Sequence, residues 1–420
     1  MWNMLFLSER KISVNSSYIF DTQISADDYD AFVTSQKNCN VLQSACWAEV
    51  KDSWDSFRAC VRDTQGNIVA AGLILIRPIK CGFTMWYLPH GPILDYSDHA
   101  VLVFFLDSLK KLAQKSSCIF IKIDPPVPLR AAKIEELTSG YSADSLEIRD
   151  VFQESGFRHL GFTEKMSDTL QPRFTTATLR PPEGESILQH VPKRTRRFVK
   201  DAVNRYVEVR RANIEALDDF MFLIAQTEEA KSIYLRPREY FEKIFDVYGN
   251  DVLLYIAYLN VPSAIKKYRN RISETEKKLS ELDENANQKR REYEQQIKSH
   301  QQQIDFLEKE YSANPQDVIP LAGCLSVLYG TGLEMLYAGM NRHFSKITAQ
   351  DLVYIQSMTE AFDRGAQYCS IGGVSNTLDD GLMKFKSHFN PIVIEKLGEF
   401  DFPIRKLMYR VVKFFIDHRE

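Results

Sequence analysis

The sequence predicts an α/β (α+β) protein of two related units, the second of which carries an inserted helical arm. Three observations predict this arrangement. Strand and helix patterns alternate over residues 18–162, a similar alternation restarts near residue 175, and a long charged segment at residues 263–311 interrupts the second pass. Such alternation is typical of layered α/β domains, and 420 residues leave room for two or three of them.

The first unit is predicted from apolar runs and one amphipathic helix. Residues 68–78, 83–88 and 118–123 are short apolar runs, which indicate buried strands. Residues 99–114 repeat apolar side chains at helical spacing, so we expect a helix that packs one face on these strands.

The second unit repeats this pattern with a basic helix near its start. Strands are expected at residues 175–179, 207–211, 251–259 and 368–371, and helices at residues 192–206, 217–227, 238–248 and 348–365. Two apolar runs on either side of Gly330-Thr331 predict a hairpin over residues 321–338.

Residues 263–311 predict a coiled-coil hairpin. The segment has no glycine and carries a heptad seam that includes Ile265, Ile272 and Leu279. The seam slips at residues 283–288, which suits a turn between two antiparallel helices of about 20 residues, each about 30 Å long. The mixed charges favour a solvated structural spur, and the alternative is an arm that holds RNA or a partner.

Composition excludes several classes of protein. A net charge of −3 and a pI of about 6.3 argue against a nucleic-acid coat along the whole surface, so any RNA contact is expected to be local. Seven cysteines without CxxC spacing favour a reducing compartment and argue against a zinc site. Residues 1–7 are too short for a secretion signal, and no run reaches the ~20 apolar residues of a membrane span. A cytoplasmic protein without metal or cofactor is expected.

The basic helix at residues 192–206 is the first candidate site. Lys193, Arg194, Arg196 and Arg197 cluster just after Pro192, where positive charge and free backbone N–H groups suit phosphate binding. The alternative is a solvated helix face.

Three further constellations suit anion binding or close backbone approach. Lys51 lies one helical turn beyond Trp47, and the alternative for this pair is simple packing of the lysine stem on the ring. Arg236 lies four residues before Tyr240. An arginine fork matches a diphosphate well, although a surface arginine beside a half-buried tyrosine is an equally good interpretation. Gly372-Gly373 follows a strand, where glycine lets the backbone approach a ligand, and a simple turn is the alternative. The sequence contains no GxSxG, HExxH or Walker A motif, so spacing identifies no nucleophile.

Taken together, these pieces resemble the Fem family (FemABX) of peptidoglycan bridge-building aminoacyltransferases, with a general appearance closest to the streptococcal Mur-type members. The resemblance covers nearly the whole chain from about residue 18. The matching features are Leu42-Gln43-Ser44 with Trp47 and Lys51, Pro89-His90-Gly91-Pro92, residues 193–200, Arg236 with Tyr240, Tyr337-Ala338-Gly339, and the stretch from Gly372-Gly373 to Phe385-Lys386 and Phe389-Asn390-Pro391.

The resemblance implies a fold of two tandem acetyltransferase-like (GNAT-like) domains. The first is expected at residues 18–166 with 398–420, the second at 167–262 with 312–397, and the arm at 263–311. The resemblance also implies that Lys51, Arg236 and Tyr240 bind the diphosphate of a muramyl-pentapeptide precursor, either lipid II or its UDP-linked form, and that Tyr337 lines the same cleft beside Gly372 and Gly373.

The implied reaction moves an amino acid from aminoacyl-tRNA to a stem-peptide amine, without a cofactor. Phe385 and Lys386 are expected at the reaction centre, and Asp124 occupies the position of a carboxylate proposed as a base. Two rival hypotheses are a tRNA-dependent transferase that acts on protein N-termini and a coiled-coil adaptor with degenerate transferase domains.

The C-terminal stretch at residues 402–416 has apolar side chains on one helical face and basic residues around it. Such a helix is suited to peripheral contact with the inner surface of an anionic membrane. The alternative is a helix that closes the first domain.

Overall fold

In the computed structural model, two mixed β-sheets organise the chain, and residues 17–137, 140–163, 165–283 and 285–417 are described. The apolar start at residues 1–7 and the last three residues of the expected first domain lie outside these ranges. Each sheet has eight strands. The predicted α/β class with two acetyltransferase-like units is confirmed.

The first sheet has the strand order β1-β2-β3-β4-β6-β16-β8, and β5 pairs with β3 outside this path. Its only parallel pair among the described residues is β4 with β6. In chain order, its strands are β1 (Ile19–Asp21), β2 (Asp55–Arg62), β3 (Ile68–Pro78), β4 (Thr84–Pro89), β5 (Ile93–Leu94), β6 (Cys118–Asp124), β8 (Arg158–His159) and β16 (Phe400–Pro403).

The second sheet has the order β10-β11-β12-β13-β14-β9-β15-β7. Its strands are β7 (Pro128–Ala132), β9 (Phe174–Leu179), β10 (Val207–Ala212), β11 (Val252–Asn260), β12 (Val318–Tyr329), β13 (Gly332–Met340), β14 (Tyr368–Val374) and β15 (Ile392–Lys396). The predicted hairpin around Gly330-Thr331 is β12 with β13. Strand β7 comes from the sequence range expected in the first domain, yet it pairs with β15 of the second sheet.

Helices cover the sheets, and several begin at a side-chain cap. Asp98 accepts a hydrogen bond from the Val101 amide at the start of α3, and Asp380 caps α12 in the same way. The helices are α1 (Ala26–Ser35), α2 (Ala45–Val50), α3 (His99–Gln114), α4 (Ala143–Glu154), α5 (Ile187–His190), α6 (Lys193–Asn204), α7 (Leu217–Lys231), α8 (Arg238–Tyr248), α9 (Val261–Ser280), α10 (Asn287–Ala313), α11 (Ala349–Asp363), α12 (Gly381–Lys386) and α13 (Lys406–Asp417).

The inserted arm consists of α9 and α10, which run between the neighbouring strands β11 and β12. Asn260 at the end of β11 is paired with Val318 at the start of β12, so the arm leaves and re-enters the sheet at one place. Ile304 and Leu307 of α10 are buried at the root of the arm in the core of the second unit. The predicted helical hairpin is confirmed, with a first helix that ends at Ser280 and a second helix of 27 residues that begins at Asn287.

A shared hydrophobic core joins the two units. It contains Trp47 and Tyr87 from the first unit together with Phe241, Leu254 and Leu325 from the second. Because one continuous core includes side chains of both sheets, the units are held in a fixed relation, and residues distant in sequence meet at their junction.

The C-terminal strand β16 returns to the first sheet, where it lies between β6 and β8. Lys122 of β6 is buried there, and its ammonium nitrogen lies 2.8 Å from Glu399 Oε2 and 2.9 Å from Asp401 Oδ1. Burial alone would lower the pKa of Lys122, but these two carboxylates raise it above its usual value. The ammonium therefore compensates two buried carboxylates that arrive from the far end of the chain.

We predict that Lys122→Met destabilises the fold by about 3–5 kcal/mol, because it leaves two buried carboxylates without their cation. Thermal unfolding of the variant measures the change. Lys111→Met on the exposed side of α3 is the matched control and should melt like the unchanged protein. An unaltered melting temperature for Lys122→Met would mean that the carboxylates are compensated in another way.

Candidate functional site

The junction of the two units contains a cleft of about 900 Å³. It is lined from both sides: α2 and the end of β4 contribute from the first unit, and β13, β14, β15 and the start of α8 contribute from the second. The polar and aromatic lining side chains on which the site depends are Trp47, Lys51, Tyr87, His90, Arg236, Tyr240, Glu334, Tyr337, Ser370 and Lys396.

Two cations share one aromatic ring on the wall of this cleft. The Lys51 ammonium lies 5.1 Å from the Tyr240 ring centroid and 5.2 Å from that of Trp47, and the Arg236 guanidinium lies 5.3 Å from the Tyr240 ring. The Tyr337 hydroxyl donates to the Tyr240 hydroxyl at 3.3 Å. The four residues that the family resemblance associates with precursor binding are therefore brought together, although Lys51 and Arg236 are far apart in sequence.

Neither cation has an acidic partner within the described ranges of the chain. Burial, followed by repulsion from Arg236, lowers the pKa of Lys51 to about 8. Two neighbouring positive groups that disfavour each other's charge are stabilised when an anion enters between them. A diphosphate has the charge and the acceptor oxygens for this position.

Gly372 and Gly373 form one wall of the cleft, here called the glycine wall, and Lys386 lies behind it. It ends the short helix α12, is only 5% exposed, and donates from its ammonium to the Gly373 carbonyl at 2.5 Å. A β-carbon on Gly372 would lie 3.7 Å from the Lys386 nitrogen, and Gly372 has a φ of +78°, which favours glycine. Lys386 is not itself a lining residue, and its ammonium lies directly behind Gly372 and Gly373, which line the cleft and carry no side chains.

Burial lowers the pKa of Lys386 to about 7, and Asp380 and Glu334 only partly oppose this effect. At neutral pH, roughly half of these side chains are protonated. A lysine in this state can donate a proton or accept one without a large energetic cost.

Phe385 does not line the cleft, although the resemblance placed it at the reaction centre. Its ring lies 5.2 Å from that of Tyr354 and 5.4 Å from that of Phe389, so it packs in an aromatic cluster below α12. Adjacent helical residues point about 100° apart, so Phe385 anchors the helix while Lys386 points to the glycines.

Asp124 lies at the end of β6 beneath the cleft and is 4% exposed. It accepts from the His90 amide at 2.8 Å and from the Tyr87 hydroxyl at 3.3 Å. Burial, followed by the nearby Glu399 carboxylate, raises the pKa of Asp124 to about 8. Its contacts with two residues of the cleft wall suit a group that positions His90 and Tyr87.

Sequence reasoning missed Glu334 and Lys396 and gave no role to His90, and these three residues form a polar group in the cleft lining, where Glu334 interacts electrostatically with Lys386. The Lys396 nitrogen lies 3.0 Å from His90 Nε2, and Asn40 donates to Glu334 at 3.1 Å. Burial raises the pKa of Glu334 and lowers that of Lys396. The sequence did contain a signal for Glu334 in β13 and Lys396 in β15. Burying a charged side chain in an otherwise apolar strand costs free energy, so such a residue is expected to be paired or functional.

The basic side chains of α6 lie outside the cleft. Lys193, Arg194, Arg196 and Arg197 are all exposed, whereas Thr195 is buried and donates to the His388 carbonyl at 2.7 Å. Because His388 follows Lys386 by two residues, this contact attaches the basic helix to the segment that carries Lys386. The cluster thus presents an exposed positive surface on a helix that is attached to the segment following Lys386.

Comparisons with known proteins identify the family of the chain. The FemAB family matches residues 24–416. The lipid II:glycine glycyltransferase of Staphylococcus haemolyticus (strain JCSC1435) is 29% identical over 413 residues, which cover 93% of this chain and 94% of that protein. The enzyme of the same name from Staphylococcus aureus (strain MRSA252) is 28% identical over 415 residues, with 93% and 94% covered.

Among solved structures, the crystal structure of FemX matches with a TM-score of 0.74 and 27% identity over 93% of this chain and 98% of that chain. The fold is thus shared over almost the whole of both chains. Because the family match spans most of the chain, the resemblance noted in the sequence is confirmed: the chain belongs to the FemAB family and is an aminoacyltransferase.

Proposed function

We propose that this aminoacyltransferase moves an amino acid from aminoacyl-tRNA to the stem-peptide lysine amine of a muramyl-pentapeptide precursor and so builds a peptidoglycan interpeptide bridge. The observation that carries the proposal is the pair of uncompensated cations, Lys51 and Arg236, over the Tyr240 ring. Peptidoglycan precursors carry a diphosphate next to the sugar, and this pair offers the charge to bind it.

The identity of the acceptor is supported by the relatives and by the size of the cleft. The staphylococcal proteins are named for transfer to lipid II, and they match nearly their whole length. A cleft of about 900 Å³ is large enough for a sugar with part of its peptide, while a lipid tail would remain outside. We therefore favour the lipid-linked precursor over the nucleotide-linked one.

The donor is supported by the position of α6. Its four exposed basic residues suit the phosphates of an RNA acceptor arm, and Thr195 attaches the helix beside Lys386. A tRNA bound there would bring its aminoacyl ester to the glycine wall from outside while the precursor occupies the cleft.

The proposed reaction is a direct acyl transfer. The stem-peptide amine has a reference pKa of about 10.4, so it must lose a proton before it attacks the ester carbonyl. A C–N bond forms, the ester C–O bond breaks, the attacking nitrogen gives up one proton, and the leaving ribose oxygen takes up a proton to become a hydroxyl. Lys386, with its lowered pKa, is suited to stabilise the oxyanion and to supply this proton.

The proposal is tested by incubating the protein with alanyl-, seryl- and glycyl-tRNA and with three acceptors, namely lipid-linked precursor, nucleotide-linked precursor and a protein with a free N-terminus, and then weighing the products. We expect the precursor mass to increase by one amino-acid residue with one of the donors. Transfer to a protein N-terminus instead would favour the first rival hypothesis, and the absence of transfer to every acceptor would favour an adaptor.

Precursor affinity is predicted to fall as pH rises through about 8. Lys51 is protonated below its lowered pKa of about 8 and loses its charge above it, so the attraction for a diphosphate weakens on the alkaline side. The dissociation constant of the nucleotide-linked precursor should increase between pH 7 and pH 9, and Lys51→Met should remove most of this dependence. The same steep dependence in the variant would assign the titration to another group.

We predict that Arg197→Glu raises the KM for aminoacyl-tRNA several-fold and leaves precursor affinity unchanged, because the exposed face of α6 contacts RNA alone. The effect should shrink with added salt, which screens exposed charges. Lys111→Glu makes the same charge reversal on the exposed side of α3 and should leave the KM unaltered. Equal effects of the two reversals would indicate only a change in overall charge.

A further inference from the structure

The C-terminal helix α13 has two apolar faces, and only one of them is covered. Tyr409 is 6% exposed, and its ring lies 5.3 Å from that of Phe120 on β6. Its hydroxyl donates to Asp401 at 2.9 Å. Met408 and Val412 pack on the same core, so the inner face closes the first unit, as one of the two sequence interpretations expected.

The outer face carries large apolar side chains in the open. Leu407 is 77% exposed, Val411 57% and Phe415 65%, and their spacing of four residues aligns them along one side of the helix. Phe414 beside them is 58% exposed. These are among the most exposed large apolar side chains of the described residues, and they form one continuous stripe.

Basic residues flank this stripe. Lys406 and Arg410 are exposed, and neither has an acidic partner in the described parts of the chain. The only acidic residue of α13 is Asp417 at its end. An apolar stripe bordered by cations matches the boundary between the acyl chains and the anionic head groups of a bilayer.

We propose that the outer face of α13 binds an anionic lipid bilayer, with Leu407, Val411 and Phe415 in the head-group boundary and Lys406 and Arg410 at the lipid phosphates. The helix lies in the plane of the membrane. Its 12 residues span only about 18 Å, well short of the ~30 Å hydrocarbon core. In the described residues, no helix is both long and apolar enough to cross a bilayer.

The inner face of α13 also connects the proposed membrane surface to the cleft through the hydrophobic core. The inner face of α13 belongs to the same hydrophobic core as Trp47 and Tyr87, two residues of the cleft wall. Membrane contact through α13 would therefore fix the orientation of the first unit, and with it the cleft, relative to the lipid surface. This proposal rests on the contacts of α13 and does not require the transfer reaction.

Flotation of the full chain with vesicles tests it. We expect binding to vesicles of phosphatidylcholine with phosphatidylglycerol, weaker binding to phosphatidylcholine alone, and a decrease with added salt. The triple variant Leu407→Ser, Val411→Ser, Phe415→Ser should bind about tenfold more weakly or worse. Lys406→Glu with Arg410→Glu should remove the preference for the anionic lipid.

The matched control is Phe222→Ser, which removes a side chain that is 43% exposed on α7. It should bind vesicles like the unchanged protein, and thermal unfolding should show all variants to be folded. Wild-type vesicle binding by the triple variant, or no binding by the unchanged protein, would overturn the proposal. It would also be overturned if sedimentation showed a dimer that the triple variant abolishes while vesicle binding persists, because a second copy would then occupy the face.

Transfer to the nucleotide-linked precursor, measured in parallel, separates this proposal from the proposed function. The triple variant should retain the wild-type rate with this water-soluble acceptor, because α13 contributes nothing to the cleft lining. If the unchanged protein binds vesicles but transfers nothing to any acceptor, the proposed function fails and the membrane surface stands.

Discussion

Replacing Lys386 by methionine is expected to lower the transfer rate by about 10²–10³-fold while the protein stays folded. The substitution removes the ammonium that donates to the Gly373 carbonyl, and it keeps a side chain of similar length in a buried position. Loss of one preorganised donor at a developing oxyanion has an effect of this order. Single-turnover transfer from aminoacyl-tRNA measures the change apart from product release.

Lys384→Met provides a control on the same helix. Lys384 is exposed, whereas Lys386 is 5% exposed, so the control removes the same charge from α12 without touching the glycine wall. It should retain nearly full activity. If Lys386→Met turned over as fast as the unchanged protein, Lys386 would have no part in the mechanism.

Replacing Arg236 by alanine is expected to weaken precursor binding by about 10- to 100-fold, the range that corresponds to one charge-assisted contact. The fold should not change, because the contacts of Arg236 are with the side chains of Tyr240 and Tyr337 at the cleft and with the adjacent Leu235 carbonyl. Titration calorimetry with the nucleotide-linked precursor measures the dissociation constant directly.

Arg238→Ala is the matched arginine control. Arg238 follows Arg236 by two residues in the sequence. It does not line the cleft, and it pairs with Asp218 and Glu242. Its loss should leave precursor affinity unaltered. Combining Arg236→Ala with Lys51→Met should cost less than the sum of the two changes if both cations bind one diphosphate. Unchanged affinity in Arg236→Ala would mean that the diphosphate binds elsewhere.

Much of the fold could be predicted from local patterns. The apolar runs of β3 and β6, the amphipathic spacing of α3, and the turn between β12 and β13 are signals that neighbouring residues carry. The heptad seam similarly predicts α9 and α10 from the sequence alone. No local sequence pattern predicts the pairing of β7 with the second sheet, because strand pairing joins residues that are far apart in sequence.

The candidate site was predicted in part. Family resemblance identified Lys51, Arg236, Tyr240 and Tyr337, and they meet in one cleft. The resemblance also named Phe385, which packs instead against Tyr354, because the direction of a side chain on a short helix depends on what the helix packs against.

The sequence by itself determined the α/β class, the inserted arm and the amphipathic character of α13, since each follows from a short-range period of apolar residues. Only the tertiary structure decided that Glu334, Lys396 and His90 lie together beside Lys386. It also decided which face of α13 is buried. The physical reason is that electrostatic partners and burial depend on distances in space, and these are set by the strand order of two sheets and by the core between them.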